Sequence, residues 1–198
     1  MALKNVYVLV FDGFADWEPA YALAELRRSG GCRTVAVGFG TSPVTSMGGL
    51  RVLPDSALAT VKAEDVGLLL LPGGDIWEAA TYPDAELSLL LRALVARGTP
   101  VAAICGATFA LARAGLLNDR DHTSTVPGDL AAVGATYQGA ARYQSTLAVA
   151  DRGVITASGL GSIEFARAIF GALKVFSESD ESLWFEMFRH GRLPDSAG

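Results

Sequence analysis

A chain of 198 residues, 51% hydrophobic and 19% charged, has enough apolar material to fill one core and does not have the composition of a disordered segment. Its net charge of −5, with no basic face along the sequence, speaks against nucleic acid as a partner, and no apolar run approaches membrane-spanning length. The two cysteines, Cys32 and Cys105, are far apart and make no disulfide framework, which suits a reducing, cytoplasmic compartment.

The chain starts M-A-L-K-N and passes directly into Val6–Phe11 with no small-residue cleavage site, so no signal peptide is expected. Val6–Phe11 is apolar at every position, the pattern of a strand covered on both faces in a parallel sheet. After the loop D-G-F-A-D-W, a helix is predicted from about Glu18 to Arg28. Ala22, Leu23 and Leu26 would face inward, and Gly30-Gly31 would end it. Cys32–Val37 reads as a strand, and Val44–Leu53 as a small hairpin around Gly48-Gly49. Val66–Leu71 is another buried strand and runs into P-G-G at Pro72–Gly74. Pro83–Arg97 is an amphipathic helix with Leu87, Leu90, Leu91 and Leu94 as its stripe, closed by Gly98 and Pro100.

Pro100–Leu117, P-V-A-A-I-C-G-A-T-F-A-L-A-R-A-G-L-L, changes period in the middle. Val101–Ile104 is long enough only for a buried strand. From Gly106 the apolar residues take helical spacing, and Gly115 stops the helix. Cys105 therefore sits at a sharp strand-to-helix turn, the geometry of a nucleophile elbow. A helix start aims unpaired N–H groups at the sulfur and favours a thiolate, which lowers the thiol's pKa. A buried cysteine acting as a small hydrophobe is the other reading of this stretch.

Further on, His122–Thr125 reads as a short strand and Gly128–Val133 as a short helix. Tyr143–Val149 and Val154–Ala157 read as strands around a turn at Asp151–Gly153. Ser162–Phe176 is a long helix with Phe165, Ile169 and Leu173 facing in. Asp180–Arg189 is a last helix with Leu183, Trp184, Met187 and Phe188 on one side, and a loose tail follows Gly191. No linker or repeat divides the chain, so a single domain spanning 1–198 is expected.

Alternating strands and helices predict an α/β fold with a mostly parallel sheet. Such sheets bind ligands at the carboxyl ends of their strands. Glu18, Gly73-Gly74 and Cys105 all leave strand carboxyl ends, and they share one pocket if those strands are neighbours. Bare N–H groups at Gly73 and Gly106 would suit a developing oxyanion. Asp16 is the second carboxylate of the first loop, better read as solvated. Trp17, Phe14 and Trp77 line either an apolar pocket or a dimer seam. Gly159–Gly161 lacks the third glycine of a dinucleotide fingerprint, and no P-loop is present. Two histidines and two cysteines without clustering give no metal site, so no cofactor is expected.

The order F-D-G-F-A-D-W-E, L-L-L-L-P-G-G, A-I-C-G-A-T and I-T-A-S-G-L-G-S-I-E-F-A resembles the ThiJ/PfpI superfamily, with its class I glutamine amidotransferase-like fold. The resemblance runs from about Val6 to Phe176. It implies a flavodoxin-like three-layer sandwich with helices on both faces, usually dimeric. It also implies a reactive Cys105, an acid partner matching Glu18, and an oxyanion hole from N–H groups of Gly73 or Gly74 and of Gly106.

Departures from the family pattern narrow the activity. Protease-like members carry a histidine right after the cysteine, where this chain has Gly106. Glutamine amidotransferases supply a late H-x-E pair, whereas the late segment here has Glu164 and no histidine. In the Parkinson-associated branch a histidine stands at a position that aligns near Thr125. His122, an odd offset away, would face the opposite side of a strand, which leaves it as a substitute partner or a polar strand residue. Two classes of function remain. One is an enzyme, a hydrolase, hydratase or glyoxalase-like protein, whose Cys105 adds to a small electrophile while Glu18 carries the proton. The other is a non-catalytic oxidative-stress protein whose Cys105 is oxidised reversibly to sulfenate or irreversibly to sulfinate.

Overall fold

The computed structural model describes residues 5–29 and 31–193. Met1–Lys4, Gly30 and the end of the tail, 194–198, lie outside the described residues, and with them part of the expected helix stop and tail. The runs that are apolar at every position form the middle of the sheet. They are β1 (Asn5–Val10, apolar from Val6 on), β6 (Leu68–Leu71) and β7 (Val101–Ile104), and every residue of β6 and β7 is buried. Between β1 and β6 come α1 (Ala20–Arg28), β2 (Arg33–Gly38), the hairpin β3 (Val44–Thr45) and β4 (Arg51–Val52), and β5 (Ser56–Ala57). After β6 come α2 (Ile76–Ala79) and α3 (Asp84–Ala96). After β7 come α4 (Thr108–Arg113), β8 (Ala148–Asp151), β9 (Val154–Ala157), α5 (Ser162–Leu173) and α6 (Glu178–His190).

The seven-stranded sheet has the order β5-β2-β1-β6-β7-β9-β8. All neighbours pair in parallel except β8, which is antiparallel to β9. The chain moves one way from β1 to β2 and the other way from β6 to β7. Right-handed crossovers then put their helices on opposite faces. Accordingly α1 packs against α5, and α3 against α4. The result is the flavodoxin-like sandwich, and its strand order reverses between β1 and β6, where such folds bind ligands.

Several local expectations change. Only Ala22 and Leu26 of α1 are fully buried on the apolar side, while Leu23 and, in α3, Leu90 are half-buried. His122–Thr125 is not a strand; His122 makes one isolated parallel bridge to Tyr143. The short helix expected at Gly128–Val133 is a pair of tight 3-10 turns over Asp129–Thr136, broken at Gly134 where φ is +80°. The strand expected from Tyr143 starts only at Ala148. Lys174 takes a left-handed conformation with φ +53° and ends α5 before Phe176. Ser177 caps α6 by accepting from the Asp180 N–H at 3.1 Å, which moves that helix start upstream. On α6 only Trp184 is buried; Leu183 and Phe188 are exposed. The two-residue β5 and four-residue α2 were not expected at all.

Candidate active site

The strands β1, β6 and β7 are neighbours, so the loops carrying Glu18, Gly73-Gly74 and Cys105 meet at their carboxyl ends. Cys105 has φ +58°, a left-handed conformation rare for a side chain with a Cβ. It follows the extended Ile104 and opens a tight turn at Cys105–Ala107, which leads into α4. Thr108 Oγ1 donates to the Cys105 carbonyl at 2.8 Å and to or from Ser124 Oγ at 2.8 Å, which fixes the turn. This is the elbow the sequence predicted, with the strain such elbows hold.

Glu18 is 2% exposed. Its Oε2 accepts the Gly73 N–H at 2.6 Å, and its carboxyl is in hydrogen-bond contact with the Cys105 sulfur. Gly73 cannot carry a side chain here: a Cβ would stand 2.7 Å from Glu18 Oε2 and 2.9 Å from Cys105 Cβ. The Gly73 N–H, expected to serve an oxyanion, is thus engaged by Glu18. The Gly106 N–H turns to the Cys105 sulfur. A Cβ on Gly106 would meet the Gly74 carbonyl and Trp77 Cδ1, each at 3.3 Å, so its bare face packs against the core rather than a pocket.

Two residues complete the site that sequence reasoning had not assigned to it. The Thr125 hydroxyl hydrogen-bonds the Cys105 sulfur and accepts the Gly159 N–H at 3.0 Å. Thr125 thus stands where the family resemblance aligns a histidine. Gly159, at the end of β9, lies so close that a Cβ would be 2.9 Å from Sγ. The G-L-G stretch was its signal, read against a dinucleotide motif and as part of the family resemblance but not as a neighbour of the sulfur.

Burial pushes the Glu18 carboxyl up, opposed by the Gly73 N–H and the Cys105 contact. Burial is also the largest influence on Cys105 and pushes the thiol up, against the lowered value the elbow alone predicts. Thr125 and Gly106 act in the thiolate's favour, and an ionised Glu18 acts against it. The helical support is also weaker than expected, because α4 has six residues.

The remaining candidates lie elsewhere or play other parts. His122 is fully buried, with Nδ1 2.8 Å from the Arg120 carbonyl and Nε2 2.8 Å from the Tyr137 hydroxyl. Both ring nitrogens are spent on the fold, so His122 is no partner of the sulfur. Asp16 accepts from Ser46 Oγ at 2.6 Å and pins the β3–β4 hairpin to the first loop. Phe14 and Trp77 are core residues; Trp77 Nε1 donates to the Pro72 carbonyl at 2.8 Å and props the glycine loop from below. Trp17 is 52% exposed beside the site. Among the described residues no group of three or more His, Cys, Asp or Glu side chains is placed to hold a metal ion, and no helix is long and apolar enough to cross a membrane.

The DJ-1/PfpI family model matches residues 4–172. The chain is 34% identical over 196 residues to a Bacillus subtilis (strain 168) protein named as an uncharacterized protease, YoaZ, covering 94% of this chain and 91% of that one. It is 30% identical over 176 residues to the glutathione-independent glyoxalase DJR-1.2 of Caenorhabditis elegans, covering 87% of this chain and 90% of that one. The crystal structure of a ThiJ/PfpI family protein from Bacillus anthracis superposes with a TM-score of 0.89 at 34% identity, covering 97% of this chain and 93% of that one.

Proposed function

The chain belongs to the DJ-1/PfpI family, and from that membership and the site geometry we propose that it is an enzyme whose Cys105 adds to a small carbonyl-type electrophile, with Glu18 as proton carrier. The contact between the buried Glu18 carboxyl and the elbow sulfur carries this reading. In the addition, sulfur bonds to the carbonyl carbon and the C=O π pair moves onto oxygen. The single proton shared by Cys105 and Glu18 ends on that oxygen, giving a hemithioacetal. The Gly74 N–H makes no hydrogen bond among the described residues and is left for the oxyanion, while the Gly106 N–H stays with the sulfur.

A glyoxalase among the relatives supports this class. The protease name borne by YoaZ does not transfer well, because Gly106 follows the cysteine and His122 is spent on Arg120 and Tyr137. The test is a panel of glyoxal, an isocyanide and a small amide beside a peroxide titration, read by turnover and by mass at Cys105. Turnover of one electrophile, abolished by Cys105→Ser, is the expected result. Oxidation of Cys105 by peroxide with no turnover of any compound overturns it in favour of the stress-protein reading.

A further inference from the structure

Beyond Thr125, and flanking Gly159 through Ser158 and Leu160, lies a pocket of about 280 Å³, just below the usual ligand-site range of about 300–1,000 Å³. Its polar side chains are Ser124, Thr125, Tyr143, Ser145, Thr146 and Ser158, with Pro127, Leu147 and Leu160 as apolar walls. No charged side chain lines it. The hydroxyl protons are largely committed already. The Tyr143 hydroxyl donates to the Ser124 carbonyl at 3.1 Å, and Thr146 Oγ1 donates to the Ala148 carbonyl at 3.2 Å. Ser124 Oγ is paired with Thr108. Ser158 Oγ accepts the Leu160 N–H at 3.3 Å, which occupies a lone pair and leaves its own proton free. Ser145 Oγ makes no hydrogen bond among the described residues.

A hydroxyl that has given its proton presents only lone pairs. The pocket therefore offers chiefly acceptors to whatever enters it. Such a lining matches ligand O–H groups, which donate. It opposes carboxylates and phosphates, which only accept, carry charge, and would find no cation in the lining. Resting on the reading of Cys105 as a nucleophile toward small carbonyls, we infer that this pocket selects neutral, hydroxyl-bearing carbonyl compounds, small and sugar-like, over carboxylated or phosphorylated ones.

The test measures how well hydroxypyruvaldehyde, methylglyoxal and glyoxylate protect Cys105 from iodoacetamide, each normalised to its adduct with N-acetylcysteine. Hydroxypyruvaldehyde differs from methylglyoxal by one hydroxyl and should protect at a several-fold lower concentration, up to about 10-fold for one good hydrogen bond. Glyoxylate should protect least. Ser145→Lys adds a cation at the pocket and should improve glyoxylate protection selectively. Equal protection by hydroxypyruvaldehyde and methylglyoxal, or normalised protection by glyoxylate matching methylglyoxal, overturns the inference and leaves the nucleophile reading standing. Protection by none of the three, with iodoacetamide still alkylating Cys105, overturns the reading of Cys105 as a nucleophile toward small carbonyls.

Discussion

Gly159 brings its backbone against the Cys105 sulfur so closely that a Cβ would lie 2.9 Å from Sγ, 3.2 Å from Cys105 Cβ and 3.3 Å from Glu18 Oε1. Gly159 is not in a left-handed conformation, so an alanine there meets a steric conflict and no backbone strain. Gly159→Ala should fold normally and lose thiol reactivity by on the order of 10-fold, equivalent to ~1.4 kcal/mol of barrier. Circular dichroism and iodoacetamide kinetics check both halves. An unchanged rate would mean that the sulfur turns away from Gly159. Gly106→Val is the poorer probe, because its side chain would strike Trp77 and the Gly74 carbonyl and disturb packing instead.

The two thiols should separate cleanly. Cys32 is 5% exposed in the core, while Cys105 is half-buried at the mouth of the site, touched by Thr125 and Gly106 donors. Limited iodoacetamide labelling near neutral pH, read by peptide mass, should mark Cys105 first and leave Cys32 unmarked until the protein unfolds. Equal labelling in the folded protein would remove the special status of the elbow.

How much of this was legible follows from how far each feature depends on distant residues. The strands at Val6, Leu68 and Val101 and the elbow at Cys105 announce themselves by local period and composition. Glu18 and Cys105 could be paired because neighbouring parallel strands end on the same edge. Thr125 and Gly159 could not, since their place at the sulfur depends on a loop with no periodic signal and on the register of β9 against β7. His122 reads as a site candidate until Tyr137 and Arg120 are seen to occupy its ring. Burial of the sulfur is a tertiary property, so the local helix-start argument had the wrong sign for the net effect on its thiol. Elements as short as β5 and α2 have too few residues to show any period.

We propose that the protein is a homodimer built on the rim of the site. Trp17 is exposed next to Glu18, and Leu50 and Leu53 are exposed on the hairpin. That hairpin is clamped to the first loop by Gly13 N–H to the Thr45 carbonyl at 2.8 Å and Met47 N–H to the Phe14 carbonyl at 2.9 Å. A rigid apolar rim of this kind is better covered than solvated. Sedimentation equilibrium at micromolar concentration should give a dimer, and Leu53→Asp with Trp17→Ser should give a monomer. A monomeric wild type sinks the proposal.

Glu18 should leave a mark on stability once the thiol is removed. In Cys105→Ser the burial of Glu18 remains, and its folded pKa stays above the unfolded value of about 4.3. A raised acid pKa means that the folded state holds the proton longer. Its stabilising contribution is present below the unfolded pKa and is lost as pH rises through the folded one. Thermal melts of Cys105→Ser should therefore fall in Tm as pH rises from mildly acidic toward neutral. Adding Glu18→Gln should flatten that slope. Parallel slopes in the two variants would show that other groups set it.

The sign of one titration decides which partner holds the shared proton. Burial pushes both groups up, and adjacent negative charges disfavour each other, so the pair keeps one proton near neutrality. Glu18 is the more deeply buried of the two by exposure, at 2%, whereas Cys105 is only half-buried. Charge is less costly on the less buried atom, and Thr125 and Gly106 are both placed to support a thiolate. The proton therefore belongs on Glu18, which then donates to sulfur, and the upward push that an ionised Glu18 would exert on the thiol vanishes. On that assignment Glu18→Leu removes a donor and raises the apparent thiol pKa, while Glu18→Gln keeps a donor and changes it less. If Glu18 were the charged member, Glu18→Leu would remove a repelling charge and lower the thiol pKa instead. Thiolate ultraviolet absorbance against pH, with Cys105→Ser as the blank, reads the difference, and only the macroscopic values of the pair are compared. A fall in the thiol pKa of Glu18→Leu would move the proton to sulfur in the resting protein and make Glu18 a base that must first take it.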